Sequence, residues 1–267
     1  MLRIAICGAA GRVGRVLVQS IVQSADLQLT GAIDAPSCPL LGKDAGAVAG
    51  VAEQGVPIAD SLEAVVTGCD SVIDFSSPDS TVANVRAATD AGCSIVVGTT
   101  GHTADQRKEI EALSAKGRVV LAPNMSVGVN LLFHLADHVA RTLGEDYDIE
   151  VTEMHHNRKK DAPSGTALRL GEILASARGL APGKAFRNGR VGAVGPREPD
   201  EIGIHALRGG DVVGDHTVMF ATDGERVELT HKASSRETFA KGAIRAVKFL
   251  AESGPGLYDM QDVLGLR

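Results

Sequence analysis

The chain has 267 residues and a formal net charge of −6, and 44% of its residues are hydrophobic. This length supplies the core of one large domain or two modest ones, while the acidic balance and the absence of tryptophan argue against a nucleic-acid-binding surface. No apolar run is long enough to cross a membrane, and a strand is predicted from Leu2 in place of a signal peptide, so we expect a cytoplasmic protein. No cysteines are spaced as C-x-x-C, and we expect them to be reduced.

The first half of the chain alternates predicted strands and helices. Helices are predicted where apolar residues recur at helical spacing, as at Val13, Leu17 and Ile21, after Ser77-Pro78-Asp79, and after the capping box Thr103-x-x-Gln106. This alternation predicts a parallel, doubly wound sheet. The predicted strands are short apolar runs at Leu2–Cys7, Leu27–Ile33, Ser71–Phe75, Ser94–Val97 and Val119–Leu121.

The pattern changes after Ser126, where an α+β domain is predicted. A long loop rich in glycine, proline and arginine is expected over Ala181–Asp200. The close spacing of the three strands after it favours antiparallel neighbours. The predicted elements are a helix at Asn130–Leu143, a strand at Asp148–Met154, a helix from Pro163-Ser164 to Gly179, strands at Ile202–Leu207, His216–Ala221 and Arg226–His231, and a last helix at Glu237–Ala251.

A glycine turn follows the first predicted strand and opens the first helix. Its sequence is Gly8-Ala9-Ala10-Gly11-Arg12-Val13-Gly14, and such glycines let a pyrophosphate approach a helix start. The G-x-x-G-x-x-G spacing differs from G-x-G-x-x-G, so a tight turn without a ligand is the alternative interpretation.

Asp34 supports nucleotide binding at this turn. It lies about 20 residues beyond Gly14, at the end of the second predicted strand, where a carboxylate can bind the adenosine ribose hydroxyls; an ordinary turn aspartate is the alternative. Because an aspartate repels a 2′-phosphate and the next residue is Ala35, NADH is the expected cofactor, with NADPH as the alternative.

The stretch from Glu153 to Thr166 carries the most chemistry. His155 and His156 can exchange protons near neutral pH, Lys159 is a cationic donor, and a helix starts at Ser164-Gly165-Thr166, where backbone N–H groups can bind an anion. A site for a small polyanion that is also protonated is one interpretation, and a solvated basic loop is the other. No cysteine or third histidine lies at ligand spacing, so no metal site is predicted.

The string His155-His156-x-x-Lys159-x-Asp161-Ala-Pro-Ser-Gly-Thr-Ala167 resembles the signature of the 4-hydroxy-tetrahydrodipicolinate reductase (dihydrodipicolinate reductase) family of lysine and diaminopimelate biosynthesis. The resemblance extends to the glycine turn, Arg208–His216 and His231–Arg236. It implies a Rossmann-type dinucleotide-binding domain of residues 1–125 and 236–267. It also implies an inserted α+β substrate-binding and oligomerisation domain of residues 126–235, and a homotetramer assembled through the sheets of that domain.

The resemblance implies an activity and a role for each matching residue. The activity is NAD(P)H-dependent reduction of 4-hydroxy-tetrahydrodipicolinate, a small dicarboxylate, through dihydrodipicolinate to tetrahydrodipicolinate. By position, His155 matches the family's proton donor or acceptor and Lys159 its proton donor. The remaining matches are His156, Gly165 and Thr166 at the substrate carboxylates, and Gly98-Thr99-Thr100 and Ala122-Pro123-Asn124-Met125 on the nicotinamide side.

Two other functions remain open from the sequence. A Rossmann-type dehydrogenase of another aspartate-derived substrate explains the glycine turn and Asp34 but not the stretch from His155 to Thr166. A regulator that binds NADH without catalysis predicts cofactor binding without cofactor consumption.

Overall fold

The computed structural model describes all 267 residues, Met1–Arg267, and the chain divides into two compact units. Unit 1 consists of Met1–Val127 and Arg236–Arg267, and unit 2 of Gly128–Ser235. Unit 1 has two buried hydrophobic clusters and unit 2 has a third. Each unit therefore has a core of its own.

The strands are short, as is usual for an α/β protein. In chain order they are β1 (Leu2–Cys7), β2 (Leu27–Ile33), β3 (Ile58–Ala59), β4 (Ser71–Asp74), β5 (Ser94–Val97), β6 (Arg118–Leu121), β7 (Asp148–His155), β8 (Phe186–Asn188), β9 (Ile202–Arg208), β10 (Gly214–Thr222), β11 (Glu225–Ala233) and β12 (Gly256–Tyr258).

None of the helices is both long and apolar enough to cross a membrane. In chain order they are α1 (Arg12–Val22), α2 (Ala45–Ala49), α3 (Pro78–Asp90), α4 (Ala104–Ser114), α5 (Val127–Leu143), α6 (Gly165–Ala177), α7 (Pro182–Ala185), α8 (Glu237–Ala251) and α9 (Met260–Leu264).

Unit 1 is built on a seven-stranded sheet with the order β12-β6-β5-β4-β1-β2-β3, and every neighbouring pair is parallel. Alternate residues of β1 enter different clusters, since Ile4 and Ile6 pack in one while Ala5 and Cys7 pack in the other. The predicted doubly wound α/β sheet is confirmed. Its strand order reverses between β1 and β4, and ligands of such sheets bind outside the carboxyl ends of the strands at that point.

Local signals fix where the helices of unit 1 begin. The Ser77 hydroxyl accepts the N–H of Ser80 at the start of α3, and Thr103 and Gln106 form a capping box at α4, as their sequences predict. The late helix α8 packs closely against the segment after β6, because a Cβ added at Gly242 would lie 1.7 Å from the Met125 carbonyl oxygen.

Unit 2 contains a mixed five-stranded sheet with the order β11-β10-β7-β9-β8. Residues of α5 and α6 pack with Ile149 and Val151 of β7 in the core of this unit. Of the three late strands expected to be antiparallel neighbours, β10 and β11 do pair in this way, but the expectation is wrong for β9, which is separated from β10 by β7 and pairs parallel to β7. The reason is that α6 lies between β7 and β9 in the chain, and a crossover of this kind joins parallel strands.

The predicted loop Ala181–Asp200 is partly regular, because it contains α7 and β8. Three- and four-residue elements are too short to produce a periodic pattern. The rest of the segment is anchored to β7 by Arg190 and Arg197, which bind the Glu150 carboxylate at 2.7 Å and 3.1 Å. Burial favours the neutral form of Glu150, but hydrogen bonds from Arg190, His205 and Arg197 outweigh it and lower the pKa to about 2.

Candidate active site

The glycine turn of unit 1 permits backbone approaches that a larger residue would prevent. Gly8 has a φ of +80°, and a Cβ added there would lie 2.3 Å from the Phe75 carbonyl oxygen. A Cβ at Gly14 would lie 2.1 Å from the Gly8 carbonyl oxygen. Gly11, the residue before α1, provides no side-chain cap. The backbone N–H groups in the first turn of α1 are therefore the hydrogen-bond donors at this end of the helix. Of the other predicted cofactor residues here, Ala9 is buried, Arg12 is exposed, and Ala10 and Val13 are partly buried.

Asp34 lies at the end of β2, beside the glycine turn. Its Oδ2 accepts the Ala10 N–H at 2.9 Å, and its Oδ1 accepts the Ala35 N–H at 2.9 Å. The carboxylate is therefore fixed next to the start of α1, where a ribose bound at a dinucleotide turn would need it.

A cavity of about 600 Å³ opens at these strand ends, a volume typical of small-molecule sites. Gly8, Gly11 and Asp34 line it, together with residues after β3 and at the start of α3. Four of its lining residues are carboxylates, and none is a lysine, arginine or histidine. The four acids are Asp34, Asp60, Glu63 and Asp79.

The segment 98–100 follows β5, at the same edge of the sheet. A Cβ added at Gly98 would lie 2.3 Å from Cζ of Phe75, so the ring packs on this backbone. The buried Thr99 hydroxyl donates to Asp74 Oδ1 at 3.1 Å and accepts the Ser76 N–H at 2.9 Å. Thr99 therefore joins the ends of β4 and β5, while Thr100 is exposed.

The segment 122–125 follows β6. Ala122 and Met125 are buried and Pro123 is exposed. The Asn124 side-chain oxygen accepts the Ser126 N–H at 2.9 Å, which closes a tight turn. Neither this segment nor 98–100 borders the 600 Å³ cavity.

In unit 2, the candidate site is centred on Glu153 at the end of β7. Its side chain is 0% exposed. Oε2 accepts from His155 Nδ1 at 2.6 Å and Arg208 Nη1 at 2.8 Å, while Oε1 accepts from Arg208 Nη2 at 2.9 Å and the Ser164 N–H at 3.0 Å. Burial opposes ionisation, but the bonds from Arg208, His155 and Ser164 outweigh it and lower the pKa of Glu153.

His155 lies two residues after Glu153 on the same face of β7. Its Nδ1 bonds Glu153, and its ring packs edge-on against His216 at a centroid distance of 5.2 Å. A Cβ added at Gly214 would lie 3.0 Å from His155 Nε2, so glycine at this position leaves room beside that nitrogen.

The basic loop (residues 156–163) follows β7. The N–H of His156 donates to the Val212 carbonyl at 2.8 Å, so the loop runs beside the segment that precedes β10. Lys159 is 21% exposed and its Nζ lies 2.9 Å from Asp161 Oδ2, a contact that lowers the pKa of Asp161. The neighbouring Arg158 and Lys160 are exposed to solvent.

The helix α6 begins where the basic loop ends. The Ser164 hydroxyl accepts the Ala167 N–H at 3.2 Å and caps the helix. A Cβ added at Gly165 would have no protein atom within 4 Å, so packing within the chain does not require glycine there. Gly165 is exposed and Thr166 partly exposed, which leaves the helix start accessible to a ligand.

The five residues predicted for substrate binding and proton transfer thus lie at the end of β7, in the basic loop and at the start of α6. Sequence reasoning gave no role to Glu153, Arg208 or His216. A spacing of two residues on a strand was a signal that Glu153 and His155 share a face. The register of His155 with Arg208 depends on the parallel pairing of β7 with β9, which the sequence did not predict.

Comparison with known proteins identifies the family. The family model described as dihydrodipicolinate reductase, N-terminus, matches residues 2–125, and the one described as dihydrodipicolinate reductase, C-terminus, matches residues 128–264. The chain belongs to the dihydrodipicolinate reductase family. Its relatives include 4-hydroxy-tetrahydrodipicolinate reductases from Burkholderia vietnamiensis, 50% identical over 266 residues, and Geotalea daltonii, 48% identical over 267 residues. Both comparisons cover 100% of each chain.

Solved structures share the fold. A dipicolinate-bound dihydrodipicolinate reductase from Paenisporosarcina sp. TG-14 is similar with a TM-score of 0.80 and 24% identity, covering 98% of both chains. The DAP dehydrogenase of C. glutamicum in complex with DAP is similar with a TM-score of 0.55 and 13% identity, covering 97% of this chain and 92% of that one.

The buried His216 leads to a prediction about stability. Burial lowers its pKa from 6.5 to about 4; electrostatic interactions with His155, His231 and Lys159 act in the same direction, and Glu153 acts in the opposite one. The folded protein therefore binds fewer protons than the unfolded chain between these pH values. We expect the free energy of unfolding to fall as the pH drops from 6.5 to 4, by up to about 3 kcal/mol from this residue.

Denaturant unfolding across this pH range measures the effect. His216→Phe should show a shallower pH dependence than the unchanged protein, while His138→Gln, at an exposed position, should keep the original slope. Equal slopes in all three proteins would show that His216 does not contribute.

Proposed function

We propose that this protein catalyses the NAD(P)H-dependent reduction of 4-hydroxy-tetrahydrodipicolinate, through dihydrodipicolinate, to tetrahydrodipicolinate. The observation that supports this most directly is the arrangement of residues 153–166. A buried histidine–carboxylate pair, a lysine and an accessible helix start lie together in a chain whose full-length relatives bear that enzyme's name. These groups can bind carboxylates and transfer a proton.

Unit 1 would hold the dinucleotide. The close backbone approaches at Gly8 and Gly14, the uncapped start of α1 and the fixed carboxylate of Asp34 fit a pyrophosphate and its neighbouring ribose. When bound, the cofactor supplies hydride from C4 of its nicotinamide ring. The segments 98–100 and 122–125 are proposed to contact the nicotinamide side of the cofactor.

Unit 2 would hold the dicarboxylate. The backbone at Gly165 and Thr166 lies at the positive end of the α6 dipole, which favours a carboxylate there. Gly165 has room for such a ligand, since no protein atom lies where its Cβ would be. His156 is proposed to contact the same carboxylate.

The proton that completes the reduction is proposed to come from His155 or Lys159. His155 keeps Nδ1 on Glu153, so proton exchange would take place at Nε2. Lys159 is largely shielded from solvent, and its ammonium group is paired with the exposed Asp161. A bound substrate carboxylate would compete with Asp161 for this ammonium group. General acid catalysis by such a group typically contributes about 10²–10⁴ in rate.

An assay of NADH consumption tests the function. The substrate is the condensation product of pyruvate and aspartate semialdehyde. We expect cofactor oxidation that depends on both this product and the protein. Binding of NADH without its consumption would instead favour a regulatory protein and contradict the proposal.

Variants test the proton donors in the same assay. We expect His155→Ala and Lys159→Ala each to lower kcat by about one to three decades, while the Kd for NADH stays unchanged. Lys160→Ala is the matched control, because this exposed lysine is the neighbour of Lys159 and is given no role. Full turnover in both active-site variants would contradict the assignment.

NADH is proposed as the preferred cofactor. The cavity beside the glycine turn is lined by four carboxylates and by no cationic side chain, so a 2′-phosphate placed next to Asp34 would be repelled. The family resemblance sharpens this point. An arginine that can hold a 2′-phosphate often follows the acidic residue in the family, whereas Ala35 follows Asp34 here.

This preference gives a prediction for position 35. The unchanged protein should show a higher kcat/KM with NADH than with NADPH. Ala35→Arg should raise kcat/KM for NADPH about tenfold or more by adding a charge-assisted bond, while Ala35→Gln adds length without charge and should leave the ratio nearly unchanged. Comparable values for both cofactors in the unchanged protein would refute the preference.

The protein is further proposed to form a homotetramer through the sheet of unit 2. Two observations support an interface there. The core on one face of that sheet is filled by α5 and α6, while Leu207 at the end of β9 is 53% exposed. The mass of the particle in solution, by light scattering, should be about four times that of the 27.6 kDa chain, and a monomer mass would contradict the assembly.

A further inference from the structure

We propose, on the basis of the reductase function proposed above, that Glu153 is a positioning residue: its buried carboxylate holds the proton of neutral His155 on Nδ1 and leaves Nε2 for proton exchange. Arg208 would keep that carboxylate charged. Neither residue is expected to touch the substrate.

The geometry of Glu153 supports this role. Both carboxylate oxygens are saturated, since each accepts two hydrogen bonds at distances between 2.6 Å and 3.0 Å. The shortest of these is the bond to His155 Nδ1. A carboxylate without a proton can only accept, so at this contact the imidazole must be the donor, which fixes the tautomer of the neutral ring.

The charge on Glu153 depends on Arg208. A side chain with no exposed surface would lose its charge without a counter-ion. The Arg208 guanidinium binds both oxygens of Glu153, the fork geometry in which arginine pairs most strongly with carboxylates. His155 and Arg208 are paired in register on the neighbouring strands β7 and β9, so the strand pairing places this guanidinium next to Glu153.

The surroundings of His155 leave its other nitrogen available. No hydrogen bond within the chain involves Nε2, and Gly214 is the residue whose missing side chain keeps the space beside it open. Nε2 of this neutral ring carries no proton and is an acceptor; it can donate only after it has taken up a proton, and the adjacent negative charge of Glu153 stabilises the imidazolium that forms. The same arrangement orients catalytic histidines in other enzymes.

Glu153 also reaches the proposed carboxylate site. Its Oε1 accepts the N–H of Ser164, the cap residue immediately before Gly165 and Thr166. One carboxylate therefore fixes both the histidine and the helix start, so its loss should affect kcat through His155 and the KM for the dicarboxylate through the start of α6.

Glu153→Gln is the test, because the substitution preserves size and removes the charge. The new amide can donate to His155 Nδ1 and thereby favour the opposite tautomer. We expect kcat to fall by about 10- to 1000-fold, within the range of general acid catalysis, with the Kd for NADH unchanged. Glu150→Gln is the matched control: this carboxylate also lies on β7 and is bound by arginines, but residues 150 and 153 point to opposite faces. Its kcat should change by less than about twofold.

The tautomer of His155 provides a readout that a purely structural ion pair would not move. Nitrogen NMR of histidine-labelled protein, assigned with His155→Ala, should show the proton on Nδ1 in the unchanged protein and on Nε2 in a substantial fraction of Glu153→Gln. Neutral His155 with its proton on Nε2 in the unchanged protein would overturn the inference, even if Glu153→Gln failed to fold.

The kinetic outcomes separate this inference from the proposed function. Full activity in Glu153→Gln, combined with loss of activity in His155→Ala, would overturn the role of Glu153 and leave the reductase function standing. Absence of turnover in the unchanged protein would refute the reductase function, while the NMR measurement would still decide whether Glu153 controls the tautomer.

Discussion

The arrangement of unit 2 depends on keeping one buried carboxylate charged. Glu153 lies inside the protein, where an uncompensated charge is strongly unfavourable, and its donors come from three separate elements. Arg208 comes from β9, His155 from β7 itself, and Ser164 from the cap of α6. Because two of these four hydrogen bonds hold His155 and Ser164, the two ends of the basic loop and the start of α6 are fixed relative to the sheet. The chemistry proposed for the loop is therefore a property of the sheet pairing as much as of the loop sequence.

In unit 1 the corresponding constraint is the parallel direction of all seven strands. Parallel strands end at one edge, so the glycine turn after β1 and Asp34 after β2 lie side by side, with the start of α3 at the same edge. The cavity formed there is acidic. Under the proposed function, this charge would disfavour a nucleotide that carries a 2′-phosphate, so specificity would rest partly on repulsion.

Much of this could be read from the sequence. The apolar runs and capping signals located every long element of unit 1, because burial on both faces of a parallel sheet leaves short continuous hydrophobic segments. The string from His155 to Thr166 located the candidate site. The short elements β3, β8 and β12 were missed because two or three residues form no periodic pattern.

The pairings that matter most for the site were not readable from the sequence. Nothing local to Arg208 indicates that it meets Glu153, 55 residues away in the chain. Their contact arises because β9 pairs parallel to β7, a pairing that the sequence did not predict. Similarly, Asp60 and Glu63 reach the cavity through the position of β3, which only the folded sheet defines.

The close approach of Gly242 to the Met125 carbonyl has a consequence for biosynthesis on the ribosome. Helix α8 and strand β12 complete unit 1 but are translated after all of unit 2. The edge of β6 can therefore gain its partner strand only after residues 128–235 have been translated.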